Sequence, residues 1–175
     1  MSLINSIIIV FWSYYIYPEY IVNTNSIYQN SFIIFYLTYF LRDIFNSYKL
    51  EEYNFIFHHI ISMFPGLLSL YYNKYGSFIV IGLFNAEITN PIQQLCLIIK
   101  FTKNIKININ TLFTLNNCFF IINRTIVTPI IYYKLLCNIN NKNLEIIFII
   151  NALLIYIMSL YWSINLFLKK IIYKT

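Results

Sequence analysis

The chain has 175 residues, of which 59% are hydrophobic and only 10% are charged. A soluble domain of this size carries about 25% charged residues, so the composition excludes a water-soluble enzyme and predicts an integral membrane protein. The net charge of +6 is spread over the ends of apolar segments rather than gathered in a patch, which argues against nucleic acid as a partner.

Six apolar segments follow one another, most of them near the roughly 20 residues that cross a bilayer. They are residues 2–17, 27–47, 53–73, 77–100, 108–134 and 146–169. Short polar links separate them, so successive helices are expected to be antiparallel neighbours. The predicted fold class is all-α, a polytopic membrane bundle of about six transmembrane helices around a polar interior, forming one domain over 1–175. Whether the short segment 2–17 spans the membrane is left open.

The basic residues are unequally divided between the two ends of this bundle. Eight fall on the side that holds both termini and three on the other. The first group is Arg42, Lys49, Lys100, Lys103, Lys106, Lys169, Lys170 and Lys174; the second is Lys74, Lys134 and Lys142. Because basic residues are enriched in cytosolic loops, both termini are predicted to be cytosolic.

His58 and His59 are the chain's 2 histidines, and they lie near the start of the third segment. An ionisable group within a span is costly and indicates a functional site by default. Asp43 ends the second segment at the same loop, so it is expected at the same depth as the pair. A carboxylate beside an imidazole fixes its tautomer and raises its basicity, as a general base or nucleophile needs. The alternative is that Arg42 simply neutralises Asp43.

Polar side chains recur at helical spacing in four of the segments. The stripes are His58, Ser62, Gly66 and Ser69; Glu87, Asn90 and Gln94; Asn117, Arg124 and Thr128; and Asn151, Met158, Trp162 and Asn165. Lipid cannot satisfy such groups, so the stripes are expected to face one shared interior. Glu87 and Arg124 are candidates for an ion pair within it, and the alternative role of such a pair is only to lock helix packing.

Metal chemistry is not expected. A zinc site needs four ligands, whereas His58, His59 and Asp43 supply at most three. No nucleotide-binding glycine motif is present, since the chain has 3 glycines in all, and no cofactor is predicted.

Five features, in chain order, resemble the TLC domain shared by ceramide synthases, translocating-chain-associated proteins and smaller TLC-domain proteins. They are Tyr39-Phe40-Leu41-Arg42-Asp43, Phe57-His58-His59-Ile60, Ala86-Glu87-Ile88-Thr89-Asn90-Pro91, Asn123-Arg124 and Trp162. The resemblance covers roughly residues 30 to 170. It implies a multi-pass protein of an endoplasmic-reticulum-type membrane that is concerned with lipids.

The resemblance leaves two functions open. In ceramide synthases the histidine pair and acidic partners serve acyl transfer from acyl-CoA, which would make His58, His59 and Asp43 catalytic. The synthase branch has two Asp residues in the next helix, whereas this chain has Glu87 and Asn90 there. That departure favours a smaller member that binds, senses or redistributes membrane lipids through Glu87, Asn90, Arg124 and Trp162. Neither the lipid nor the oligomeric state is indicated.

Overall fold

The structure is a computed structural model that describes residues 3–16, 24–51, 53–101, 109–137 and 142–172. Several residues used above as loops or charges lie outside these ranges: Lys103, Lys106 and Lys174. Every regular element in the described ranges is helical, and none is a strand. The prediction of an all-α bundle is therefore confirmed.

The described residues form six consecutive helical passes. The helices are α1 (Leu3–Ile16), α2 (Ile27–Lys49), α3 (Tyr53–Tyr72), α4 (Gly76–Glu87), α5 (Asn90–Phe101), α6 (Ile109–Ile122), α7 (Thr128–Leu136) and α8 (Lys142–Ile172). A π-helical turn, Asn123–Val127, joins α6 to α7. The pairs α4–α5 and α6–α7 each make one pass, so the passes correspond to the six predicted segments.

The start of α2 is fixed by a reciprocal cap. Ser26 Oγ accepts a hydrogen bond from the Gln29 backbone N–H at 3.2 Å, and Gln29 Oε1 accepts one from the Ser26 N–H at 3.0 Å. Two of the backbone donors that a helix start leaves unpaired are thereby satisfied. The core then runs along α2, where Phe32, Ile33 and Tyr36 are fully buried.

Asn25 joins three helices at the end of the bundle where α2 begins. Its Nδ2 donates to Ser69 O at 3.1 Å and to Asn30 Oδ1 at 2.9 Å, and its Oδ1 accepts from the Gly76 N–H at 2.7 Å. The start of α2, the end of α3 and the start of α4 are therefore held together by one side chain. No pattern in the sequence predicts this cluster.

The fourth pass is broken, although a single helix over 77–100 was predicted. α4 ends at Glu87 and α5 begins at Asn90. Pro91 has no N–H to donate to the carbonyl of Glu87, four residues earlier, so a continuous helix would lose a bond there. The π-helical turn of the next pass lies beside this break, where Asn123 Nδ2 donates to Asn85 O at 2.7 Å.

Within the described ranges, two helices are long and apolar enough to cross a membrane by themselves, Tyr53–Tyr72 and Ile146–Asn165. The apolar part of α1, Leu3–Tyr15, is shorter, and the breaks divide the fourth and fifth passes into pieces of 9 to 14 residues. Large apolar side chains cover the outer surface of the bundle, among them Ile34, Leu41, Ile60, Leu67 and Ile157. The number of complete membrane spans stays a prediction.

Candidate functional site

A cavity of about 860 Å³ lies between α2, α3, the α4–α5 pass, the α6–α7 pass and α8. Its size falls within the range of about 300–1,000 Å³ that is usual for small-molecule sites. The lining includes every site residue that the sequence predicted: Asp43, His58, His59, Glu87, Asn90, Arg124 and Trp162. Five separate passes bring these side chains together.

The cavity has a polar half and an apolar half. The polar half lies where α2 ends and α3 begins, and it contains the predicted site residues together with Asn46, Asn54 and Asn165. The apolar half lies towards the start of α4, and its walls are Phe78, Ile79, Gly82, Leu83, Tyr132 and Phe148. Asn46 and Asn54 are exposed, so the polar half reaches the surface of the bundle.

His59 lies beside Asp43, with 3.9 Å between Nε2 and Oδ2. That separation is longer than a hydrogen bond, so the two groups are neighbours that do not share a proton in this structure. The ring of Phe40 covers His59 at 4.8 Å between centroids. Arg42 is exposed, and its guanidinium does not lie within 4.0 Å of the Asp43 carboxylate. Asp43 therefore faces the histidine pair rather than its neighbour in sequence.

His58 contacts Trp162 of α8 edge to face, at 4.8 Å between centroids. Trp162 also stacks on Phe55 at 5.4 Å, so α3 and α8 meet through aromatic rings beside the polar half. The Nδ1 atoms of both histidines are buried and have no hydrogen-bond partner among the described residues. Buried polar atoms of this kind cost about 1–3 kcal/mol each when unsatisfied.

Glu87 and Arg124 are both buried, at 5% and 6% exposure, but the ion pair considered above is not formed in the described part of the chain. Glu87 Oε2 accepts from Asn90 Nδ2 at 2.7 Å. Arg124 Nη2 donates instead to Ala86 O at 2.6 Å, next to the last residue of α4. A cation is favoured at a helix C-terminus, and the break in the fourth pass makes that terminus available. Arg124 also lies over the Phe120 ring at 5.3 Å.

Amide side chains brace the walls of the cavity. Asn151 Nδ2 donates to Ile61 O at 2.8 Å, which joins α8 to α3. Asn85 Nδ2 donates to Thr128 Oγ1 at 2.6 Å, which joins α4 to α7. These bonds satisfy buried polar atoms and fix the distances across the cavity.

Five members of the predicted stripes lie outside the cavity lining: Gly66, Ser69, Asn117, Thr128 and Met158. Thr128 is buried and accepts a hydrogen bond from Asn85. Asn117 is half-buried, whereas its neighbour Asn116 is buried at 4% exposure, because the π-helical turn shifts the helical register between them and Thr128. Met158 is half-buried outside the lining. Gly66 packs against Tyr36, and Ser69 belongs to the Asn25 cluster.

The apolar walls are the residues that sequence reasoning missed. Tyr and Phe number 17 and 16 in the chain, so an aromatic at a given position carries little information. Only the helix packing distinguishes Phe78, Tyr132 and Phe148 from the aromatic side chains on the outer surface.

A helical bundle with an apolar exterior and an internal cavity of this kind defines a helical membrane protein. The model of the TLC-domain family matches residues 1–168, and the chain belongs to this family. The match confirms the resemblance and extends it to α1, beyond the residues 30–170 on which the resemblance was recognised. Family membership connects the protein with membranes and with lipids. Neither a curated protein nor a solved structure matches the chain significantly.

Proposed function

We propose that this chain is a multi-pass membrane protein that binds one membrane lipid in its cavity and thereby senses or redistributes that lipid. The polar head occupies the half around His58, His59 and Glu87, and a hydrocarbon chain occupies the apolar half. The division of one cavity into these two halves is the observation that carries the proposal.

Binding of such a lipid is favoured in both halves of the cavity. Phe78 and Phe148 give a hydrocarbon chain dispersion contacts like those of the bilayer, whereas water against these rings is unfavourable. In the polar half, His58 Nδ1, His59 Nδ1 and Arg124 Nε are buried without a hydrogen-bond partner among the described residues. A head that donates and accepts hydrogen bonds can satisfy these atoms.

A membrane-spanning arrangement is supported by exposed tyrosines at both ends of two helices. Tyr28 and Tyr48 on α2 are 57% and 67% exposed, and Tyr53 and Tyr71 on α3 are 65% and 82% exposed. At 1.5 Å per residue each pair is about 27–30 Å apart, close to the roughly 30 Å of a hydrocarbon core. Tyrosine is enriched at membrane–water interfaces. We propose that both termini lie on the cytosolic side of an endoplasmic-reticulum-type membrane.

The chain's 2 tryptophans allow a direct test of lipid binding. Trp162 lines the cavity, whereas Trp12 packs on Phe32 and Phe35 of α2. In a Trp12→Phe variant in nanodiscs, Trp162 is the sole tryptophan. A lipid brominated near its head should quench its fluorescence to saturation, and an unbrominated lipid should reverse the effect.

The matched control is Trp162→Phe, which leaves Trp12 outside the cavity. Its fluorescence should show only the linear quenching that bulk lipid produces. If Trp162 also responds linearly, without saturation or competition, the cavity does not hold a lipid and the proposal is wrong.

The second candidate is an acyl-CoA-dependent acyltransferase, and the proximity of His59 to Asp43 inside the cavity favours it. An imidazole would take the proton of an attacking amine. The amine nitrogen would form the new C–N bond of the amide while the C–S bond to CoA breaks, and the imidazole would return the proton to the CoA thiolate. Catalytic hydrogen bonds are often long without substrate, so 3.9 Å is compatible with this role. Lipid analysis of membranes containing the wild-type chain or a His58→Ala/His59→Ala variant tests it. An N-acyl product that depends on the histidines and on added acyl-CoA supports the enzyme, whereas its absence supports binding alone.

A further inference from the structure

We infer that the aromatic floor of the cavity, formed by Phe78, Tyr132 and Phe148, limits the length of the hydrocarbon chain that the protein accepts. The inference rests on the proposed function and specifies its ligand further. The cavity should accept a single chain of roughly a dozen carbon atoms below the polar half.

The floor is a continuous layer of rings. Phe78 stacks on Tyr132 at 5.9 Å between centroids and 16° between planes, and it packs on Phe148 at 5.0 Å. Behind this layer Tyr75 contacts Phe148 edge to face at 5.7 Å. Rings contributed by α4, α7 and α8 thus line the end of the apolar half, and we expect a chain that extends beyond them to displace an aromatic side chain.

The depth of the apolar half follows from helix geometry. Glu87 and Phe78 lie on the same helix and both line the cavity, and the rise between them is about 14 Å at 1.5 Å per residue. An extended chain advances about 1.2 Å per bond. About eleven or twelve carbon atoms therefore fit between the level of Glu87 and the floor.

Gly82 lines this half between Glu87 and the floor. A methyl group at Gly82 would meet only the Tyr132 ring, at 3.5 Å, which is an ordinary contact. Because Gly82 lines the cavity, a larger side chain at this position is expected to take up space in it. Leucine at position 82 should therefore shorten the accepted chain, whereas removal of a floor ring should lengthen it.

The test uses lysophosphatidylcholines with saturated acyl chains of different lengths as competitors of the brominated lipid, measured on Trp162 in the Trp12→Phe background. Expressed against the free aqueous concentration of the competitor, affinity should rise about fourfold per added methylene while the chain fits, because each methylene that leaves water is worth about 0.8 kcal/mol. The rise should stop where the chain reaches the floor. We expect this break at roughly a dozen carbon atoms.

Two variants should move the break in opposite directions. Gly82→Leu should move it to a chain shorter by at least two carbon atoms, and Phe148→Ala to one longer by at least two. Ile33→Ala is the control, because Ile33 is fully buried on α2 outside the cavity lining. It should lower thermal stability and leave the break where it is.

The outcomes separate this inference from the proposed function. If the wild-type chain shows no saturable quenching with any competitor, lipid binding itself is wrong. Two other results would contradict the inference alone: binding whose affinity rises without a break, and a break that both variants leave unchanged. Either result would show that the protein binds lipid but that the aromatic floor does not limit the length of the bound chain.

Discussion

Arg124 donates to the backbone oxygen of Ala86 at 2.6 Å, and this bond joins the break in the fourth pass to the π-helical turn in the fifth. Ala86 lies at the end of α4, where the fourth pass breaks, and Arg124 lies in the π-helical turn of the fifth. The guanidinium thus interacts with the negative end of a helix dipole. Its charge has a structural partner that is not a carboxylate.

Variants of Glu87 and Arg124 should therefore show only weak coupling. Arg124→Gln loses a charged hydrogen bond worth about 1.5–3 kcal/mol, which lowers the melting temperature by roughly 3–12 °C for a chain of this size. Glu87→Gln should be neutral or mildly stabilising, because it removes a buried charge and keeps an acceptor for Asn90. The double variant should depart from the sum by about 0.5–1 kcal/mol, because Glu87 is next to Ala86, the partner of Arg124, but the two charges form no direct ion pair within the described ranges. Thermal unfolding in detergent measures all three; recovery of stability in the double variant would show that the two charges are direct partners.

Two helical glycines should respond in opposite ways to alanine. A methyl group at Gly66 would overlap the hydroxyl group of Tyr36, and overpacking of this kind costs about 1–3 kcal/mol. At Gly82 the methyl group has room, and the gain in helix propensity is up to about 1 kcal/mol. Gly66→Ala should thus lower the melting temperature and Gly82→Ala should keep or raise it. Equal effects at the two positions would contradict the close packing of α2 on α3.

Asn25→Ala should destabilise the bundle strongly, although Asn25 lies in the link before α2. The change removes hydrogen bonds to Asn30, Ser69 and Gly76 and leaves buried groups unsatisfied, at a total of about 2–4 kcal/mol. Thr38→Ala is the control, because Thr38 is exposed and bonds only within its own helix, to Ile34 O. Its effect should stay within about 0.5 kcal/mol. Similar melting temperatures for the two variants would mean that the cluster does not join the helices.

The orientation in the membrane can be mapped with cysteine labelling. Cys96, Cys118 and Cys137 are first replaced by serine, and single cysteines are then placed at the exposed positions Lys49 and Lys74. The excess of basic residues on the side of both termini predicts that Lys49→Cys reacts with an impermeant maleimide in sealed microsomes. Lys74→Cys should react only after permeabilisation. The reverse pattern would invert the proposed topology.

The helices and the polar lining of the cavity could be predicted because both follow from spacing. Polar or charged links end each apolar segment, and residues three or four apart share a helix face. His58 and Ser62 on α3, and Trp162 and Asn165 on α8, therefore lie on the cavity side. These inferences need only the regular geometry of a helix.

The partner of Arg124 could not be predicted, because it is a backbone oxygen that becomes accessible at a helix break. The signal for that break was Pro91, which removes a donor from the pass, but an apolar run on both sides of Pro91 favoured one continuous helix. The π-helical turn leaves no composition signal, so the inward position of Asn116 in place of Asn117 needed the structure. The Asn25 cluster depends on contacts between residues more than 40 positions apart.

The break in the fourth pass and the π-helical turn in the fifth are joined by hydrogen bonds, so a substitution in one segment restricts which residues the other can carry. Asn123 and Arg124 donate to the backbone oxygens of Asn85 and Ala86, so their side chains are suited to a helix that ends just beyond these residues. A lineage that replaced Pro91 and straightened the fourth pass would remove the helix end on which Arg124 is placed. Related chains with an uninterrupted fourth pass are therefore expected to lack arginine at position 124, so that the two sites change together.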